Sequence, residues 1–202
     1  RALVPRPETE ELVDEAVAEI ARRLTAAPRP AGTAPLRVAD VGTGSGAIAI
    51  AVVAALRRRR MDAYVEVTAV DISPDALDLA RENAVGHGVA DRMVFREGDL
   101  LDGGEAPFDV VCANLPYIAT GEIDGLGPEL GFEPRGALDG GPDGLDVIRR
   151  MLDRLPRVLE RDGTAFLEIG SDQGATIVDA VSAGLPGWRC AVIRDLAGLP
   201  RI

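Results

Sequence analysis

Leu36-Arg37-Val38-Ala39-Asp40-Val41-Gly42-Thr43-Gly44-Ser45-Gly46-Ala47-Ile48-Ala49-Ile50 decides the fold of this chain. Leu36 to Val41 reads as a short apolar strand, and Gly46 opens an apolar helix running towards Arg57. Glycines at three alternate positions let the backbone turn sharply and come close to a ligand, because no Cβ intervenes. The spacing is not the dinucleotide fingerprint, whose third glycine falls one residue later, where Ala47 stands. Nor is it a phosphate loop of the Lys-ending type, since the chain contains no Lys at all.

The stretches around it repeat the same grammar. Tyr64 to Val70 reads as a second strand that ends in Asp71, with Ile72 and then the helix start Ser73-Pro74-Asp75 behind it. Asp71 could cap that helix, but Ser73 and Pro74 already fill the cap and first-turn roles. An acid closing the second strand is placed to accept both hydroxyls of a ribose. A later apolar run, Phe108 to Ala113, leads into Asn114-Leu115-Pro116-Tyr117. Asn114 offers a carbonyl acceptor and two N–H donors, the Leu115 carbonyl a further acceptor, and Tyr117 a flat face. Such a clamp suits a planar group bearing an NH2. Alone, the tetrapeptide is an ordinary Asn-x-Pro turn; with the glycine loop and Asp71 it becomes one wall of a site.

Strands are expected near 36–41, 64–70, 93–97, 108–113, 163–169 and 188–194, with the last residues starting a seventh. Helices are expected near 8–24, 46–60, 74–86, 142–160 and 172–184. Alternation of this kind implies an α/β fold, a seven-stranded, mostly parallel sheet with helices on both faces. Ligands then bind outside the carboxyl ends of the strands, where Gly42 to Gly46, Asp71, Asp99 and Asn114 all gather. The long Gly- and Pro-rich stretch Ile118 to Gly141 directly follows the clamp and reads as a substrate lid. Glu133 and Arg135 within it are expected to form a structural ion pair.

Gly42 to Gly46, Asp71 and Asn114 to Tyr117 stand in the order seen in class I S-adenosylmethionine-dependent methyltransferases, whose fold is Rossmann-like. More narrowly, the chain resembles the HemK/PrmC type of protein-(glutamine-N(5)) methyltransferase, which modifies peptide chain release factors. Val4 to Glu10, Glu133 to Leu145 and Asp195 to Arg201 carry that closer likeness, which covers nearly the whole chain. The resemblance implies S-adenosylmethionine as cofactor, held by Gly42, Thr43, Gly44, Ser45, Gly46, Asp71, Ile72, Asp99, Leu100 and Asn114. It implies Asn114, Leu115, Pro116 and Tyr117 as the catalytic clamp, with no metal. Two positions depart from the family pattern. Leu115 stands where Pro is usual, which keeps the backbone carbonyl but loosens the chain. Leu100 stands where an aromatic can stack on adenine.

The same likeness implies that residues 1–35 are an opening helix and connector, and 36–202 the cofactor-binding catalytic domain. It also implies an upstream helical docking domain outside these 202 residues. Leu12, Val13, Ala16, Val17, Ile20 and Leu24 fall on one face of the opening helix.

Charge narrows the substrates. Against 22 basic residues, all Arg, stand 33 acidic ones, a net charge of −11. The one basic cluster, Arg57 to Arg60, ends a helix, where cations complement the dipole. A strongly acidic domain without an aromatic-interleaved basic patch is a poor nucleic-acid binder. Methylation of an exocyclic amine on adenine or guanine is therefore the second reading. A non-catalytic S-adenosylmethionine-binding module is the third, disfavoured by the intact clamp. Cys112 and Cys190 lie in apolar runs without metal-ligand spacing and are expected as buried thiols of a reducing compartment. His87, between two glycines, reads as a surface loop residue. No membrane-length apolar run or signal peptide is present. The expectation is a monomeric cytoplasmic enzyme acting on a release factor, with no nucleic-acid or membrane partner.

Overall fold

The computed structural model describes residues 7–27, 33–102, 107–127 and 134–202. Five strands, β1 (Leu36–Val41), β2 (Val65–Asp71), β3 (Met93–Glu97), β4 (Phe108–Ala113) and β5 (Leu159–Leu167), form one sheet in the order β3-β2-β1-β4-β5. Every neighbouring pair is parallel. Five α-helices surround it: α1 (Pro7–Ala26), α2 (Ala47–Arg58), α3 (Pro74–Gly86), α4 (Asp146–Val158) and α5 (Gly174–Gly184). This is the Rossmann-like parallel α/β architecture that the alternation implied, with five strands among the described residues where seven were expected.

The central strands β1 and β4 are buried at nearly every position because both faces of the sheet are covered there, whereas the edge strands β3 and β5 carry exposed residues such as Val94, Glu97 and Glu160 to Asp162. Leu36 and Val38 join one core with α1 and α2, while Ala39 and Val41 join a second core with α4 and α5. In β4, Val110 and Cys112 turn to the first core and Val111 and Ala113 to the second. On α1 the six apolar residues expected on one face are all buried in the first core, so this helix is built into the sheet layer. Burial of a Leu or Ile side chain contributes about 1.5–3 kcal/mol, so α1 docks through several such increments.

The C-terminal stretch differs from expectation. Among the described residues 188–194 add no strand to the sheet. Instead Arg194 and Pro200 form a single antiparallel bridge around a turn. The Asp195 carboxylate causes this tight reversal, accepting from the N–H groups of Ala197 at 3.0 Å and Leu199 at 2.9 Å. The reversal meets β5's end at one point, where the Ile169 N–H donates to the Arg201 carbonyl at 2.9 Å. Cys190 is consequently exposed, not buried as its apolar neighbours suggested, whereas Cys112 is buried in β4. Burial pushes the Cys112 thiol well above its ordinary pKa, and the nearby Asp40 charge pushes it the same way.

The stretch after the clamp is more structured than a plain loop. Thr120–Gly125 and Arg135–Ala137 are 3-10 turns, and Ile118 bridges Asp139 in parallel. Glu133 lies outside the described residues; Arg135 pairs with Asp124 at 3.2 Å and Asp139 at 3.7 Å.

Candidate active site

Strand register brings the site together. Val41 pairs with Val70 on one side and with Ala113 on the other, so the next residue along each of these three strands stands beside the others at the sheet's carboxyl edge. Gly42, Asp71 and Asn114 are those residues. The chain runs outward from β1 to β3 and then returns to β1's other edge with β4. Between β1 and β4, where the order reverses, the crevice opens. It holds a cavity of about 370 Å³ lined by the loops after β1, β2, β3 and β4, with Thr9 of α1 and Val147 and Arg150 of α4 closing it.

The glycine loop is held from three directions. Gly42 and Thr43 donate their N–H groups to the Val70 carbonyl at 2.8 and 2.9 Å. From beneath, Asp40 Oδ2 accepts from the Thr43 hydroxyl at 2.7 Å and the Ala49 N–H at 3.1 Å. From α3, Asn83 donates to the Ser45 carbonyl at 2.9 Å. The turn requires φ of 69° at Gly42, 56° at Gly44 and 82° at Gly46, which disfavours any side chain there. Gly42, Thr43, Gly44 and Ser45 line the cavity. Gly46, expected among the ligand-binding glycines, is not part of that wall. A Cβ on it would come within 3.1 Å of the Ala80 Cβ, so its smallness lets α2 approach α3. Asp40 is 1% exposed, and among the described residues its Oδ1 has no hydrogen-bond partner. Burial pushes its carboxyl up to about 6, against the lowering influence of the Thr43 and Ala49 bonds, with the Asp71 charge adding to the rise.

Asp71 is fixed by main chain. Its Oδ2 accepts from the Gly44 N–H at 2.8 Å and its Oδ1 from the Ser73 N–H at 2.9 Å. Each carboxylate oxygen keeps a further lone pair for a ligand hydroxyl. Beside it Ile72 is 67% exposed on the cavity wall, an apolar surface with no protein to cover it. Asp99 and Leu100 also line the cavity, with Leu100 in the left-handed region at φ 61°. Asp99 pairs with Arg150 of α4. That arginine lies 51 positions away, and no local pattern in the sequence signals its approach.

The clamp is held differently. Asn114 Nδ2 donates to the Thr9 hydroxyl at 3.3 Å, and that hydroxyl donates to Glu168 Oε2 at 2.8 Å. Tyr117 donates its hydroxyl to Glu168 Oε1 at 3.3 Å. Among the described residues nothing donates to Asn114 Oδ1 or to the Leu115 carbonyl. Asn114, Leu115 and Pro116 line the main cavity; Tyr117 borders only a small adjoining hollow and packs its ring against the α4–α5 core. The segment is braced behind by Gln173, which donates to the Tyr117 carbonyl at 2.8 Å. Leu115 is buried against Gly42, where a Cβ would meet its side chain at 3.2 Å. Thr9, Glu168 and Gln173 are the site residues that sequence patterns miss, because their partners lie 105, 159 and 56 positions away.

Residues 33–181 match the family described as methyltransferase domain. A release factor glutamine methyltransferase from Rhodopirellula baltica is 42% identical over 204 residues, covering 99% of this chain and 64% of its own length. One from Bacillus cereus is 38% identical over 208 residues, covering 99% of this chain and 67% of its own. The chain belongs to the release factor glutamine methyltransferase family. It spans about two thirds of the length of these relatives, 64% of the first. Among solved structures, an S-adenosylmethionine-dependent methyltransferase from Agrobacterium tumefaciens superposes with a TM-score of 0.62 at 18% identity, over 91% of this chain and 51% of its own. The fold is shared with that structure, and in this chain the carboxyl edge of the sheet carries the glycine loop, Asp71 and the Asn114 turn. Among the described residues no helix is long and apolar enough to cross a membrane.

Proposed function

We propose that this chain transfers a methyl group from S-adenosylmethionine to the side-chain amide nitrogen of a glutamine in a peptide chain release factor. The observation that carries this reading is the orientation of Asn114, whose amide N–H is committed to Thr9 and whose Oδ1 stays available at the cavity edge. The names of the relatives supply the acceptor class.

The residues present fit the cofactor. A positive-φ glycine turn admits a close approach, Asp71 offers acceptors for ribose hydroxyls, and the exposed Ile72 offers an apolar face for a base. The volume falls in the range of small-molecule pockets, roughly 300–1,000 Å³. Gly42 to Ser45, Asp71, Ile72, Asp99 and Leu100 would hold it. When bound it supplies a methyl group already activated on a sulfonium, so the protein's task is alignment more than acid–base chemistry.

A carboxamide nitrogen is a weak nucleophile because its lone pair is delocalised into the carbonyl. Asn114 Oδ1 and the Leu115 carbonyl accept the two N–H bonds of that nitrogen, aim its lone pair and stabilise positive charge developing on it. Tyr117 contributes by fixing the clamp, through its hydroxyl on Glu168. Residues 36–202 form the cofactor-binding unit and 1–35 its opening helix and connector. The net charge of −11 favours a protein acceptor over a nucleic acid, where clustered cations are needed. A release factor as acceptor fits a cytoplasmic enzyme.

A methyl-transfer assay comparing a release factor with duplex DNA and structured RNA at low salt tests the proposal. Transfer to the release factor alone is expected. Transfer to adenine, with none to the release factor, would reverse it.

A further inference from the structure

An asparagine amide is nearly symmetric in shape. Rotating its end by half a turn exchanges the acceptor for a donor pair at almost no steric cost. At Asn114 that exchange is chemically decisive, because a donor turned to the cavity would face the N–H bonds of the acceptor nitrogen. Something must therefore set the polarity. Thr9 alone does not, since a hydroxyl donates or accepts as its neighbours dictate.

Glu168 does. It is 1% exposed, just beyond β5, and its N–H continues the β4 pairing by donating to the Ala113 carbonyl at 2.9 Å. A carboxylate oxygen facing a hydroxyl is the acceptor of the pair. The two oxygens of Glu168 take the hydroxyl hydrogens of Thr9 at 2.8 Å and Tyr117 at 3.3 Å. With its single hydrogen spent on Glu168, the Thr9 oxygen can only accept from Asn114. The amide must then present Nδ2 to Thr9 and keep Oδ1 for a ligand.

We propose that Glu168, acting through the Thr9 hydroxyl, is the positioning group that sets the polarity of the Asn114 amide. This rests on the reading that Asn114 Oδ1 binds the acceptor nitrogen. Three separate elements supply the relay: α1, the turn after β4 and the exit of β5.

The test is a mutant cycle with sign. Thr9→Val removes the hydroxyl and leaves the amide free to rotate, so kcat falls about 10-fold, and Thr9→Ser restores it. Glu168→Met removes the acceptor, the Thr9 hydroxyl turns its hydrogen to Asn114 Oδ1, and the wrong polarity is enforced. There kcat falls about 100-fold. Adding Thr9→Val to Glu168→Met then raises kcat about 10-fold over the single variant, because the misdirecting hydroxyl is gone. Calorimetry with S-adenosylhomocysteine shows unchanged affinity throughout. A merely structural pair gives a double variant no better than its worse parent, and that result overturns the relay. If Glu168→Met does not fold, the 15N-resolved side-chain amide of Asn114 decides. Thr9→Val must shift it and speed its hydrogen exchange, Thr9→Ser must not, and an unmoved resonance in Thr9→Val overturns the proposal. Asn114→Ala separates the two levels. Full turnover in that variant sinks the clamp itself, whereas an inactive Asn114→Ala beside a fully active Glu168→Met sinks only the relay.

Discussion

The two halves of the cavity are built on different principles. In the half made by Gly42 to Ser45, Asp71 and Ile72 most contacts have a main-chain group on at least one side: Gly42 and Thr43 N–H groups on the Val70 carbonyl, Gly44 and Ser73 N–H groups on Asp71, the Ala49 N–H on Asp40, and the Ser45 carbonyl under Asn83. The half made by Asn114 to Tyr117 is held by side chains reaching from α1, β5's exit and the start of α5, through Thr9, Glu168 and Gln173. A site fixed by backbone tolerates change in its surroundings, because every residue carries the same N–H and C=O groups. A site fixed by side chains fails when one distant residue changes. In the function proposed above, the first half holds the cofactor and the second half selects what reacts.

The largest expected effect lies in the second half. Asn114→Ala is expected to lower methyl transfer by about 10³-fold while leaving cofactor affinity within about 2-fold, since its interaction is made with acceptor and transition state. Single-turnover rates beside calorimetry check this, and retained turnover would erase the contrast between the halves.

Next in size is the buried acid under the glycine loop. Asp40 has its carboxyl raised from 3.8 to about 6, so between these values the folded state holds more protons than the unfolded chain. Stability must then fall as pH rises through that window, by about 3 kcal/mol from this group alone, and the cost is complete above about pH 6. Asp40→Asn is expected to remove that slope. Urea denaturation of both proteins at pH 4 to 7, read as a difference, isolates it from carboxylates such as Glu19, which Arg22 and Arg23 hold down to about 2. A variant that keeps the wild-type slope would show that Asp40 is ionised throughout.

Asp71→Ala sharpens the comparison from the binding side. Loss of a charge-assisted partner for ribose hydroxyls is expected to weaken S-adenosylmethionine binding by about 2–3 kcal/mol. Saturated single-turnover transfer should change far less. Unchanged affinity by calorimetry would remove Asp71 from the ribose site.

The smallest effect is expected at Leu115→Pro. The proposed clamp needs only the carbonyl of residue 115, which Pro retains, and no described group accepts from the Leu115 N–H. Turnover should stay within about 3-fold, while the lost packing against Gly42 lowers stability by about 1 kcal/mol. A collapse in kcat without unfolding would mean that the Leu115 side chain acts in the reaction.

The places of β1 to β4 along the chain and the sharp turn at Gly42 to Gly46 were legible in the sequence, because both depend on interactions between near neighbours or on backbone conformation. Gly42-Thr43-Gly44 demands positive φ wherever it folds, and a strand ending in Asp71 presents that acid whatever its helices do. Gly46 shows the limit of such reading. Its place in the glycine series suggested a ligand, but Ala80 claims it for helix packing. The C-terminal reversal shows another, where the Asp195 carboxylate takes two N–H groups that a strand would have offered to a neighbour.

What the sequence by itself determined was an α/β chain with a glycine turn after β1, an acid after β2 and an Asn-x-Pro turn after β4. Each follows from local periodicity and steric freedom. The sequence already implied that these motifs share one edge of a sheet; the tertiary structure alone decided the register, in which Val41 stands between Val70 and Ala113. It alone decided that Asp99 meets Arg150 and that Asn114 meets Thr9 and, through it, Glu168. A side chain's hydrogen-bonding polarity depends on partners brought close by packing, and residues 105 to 159 positions apart leave no periodic trace of that closeness.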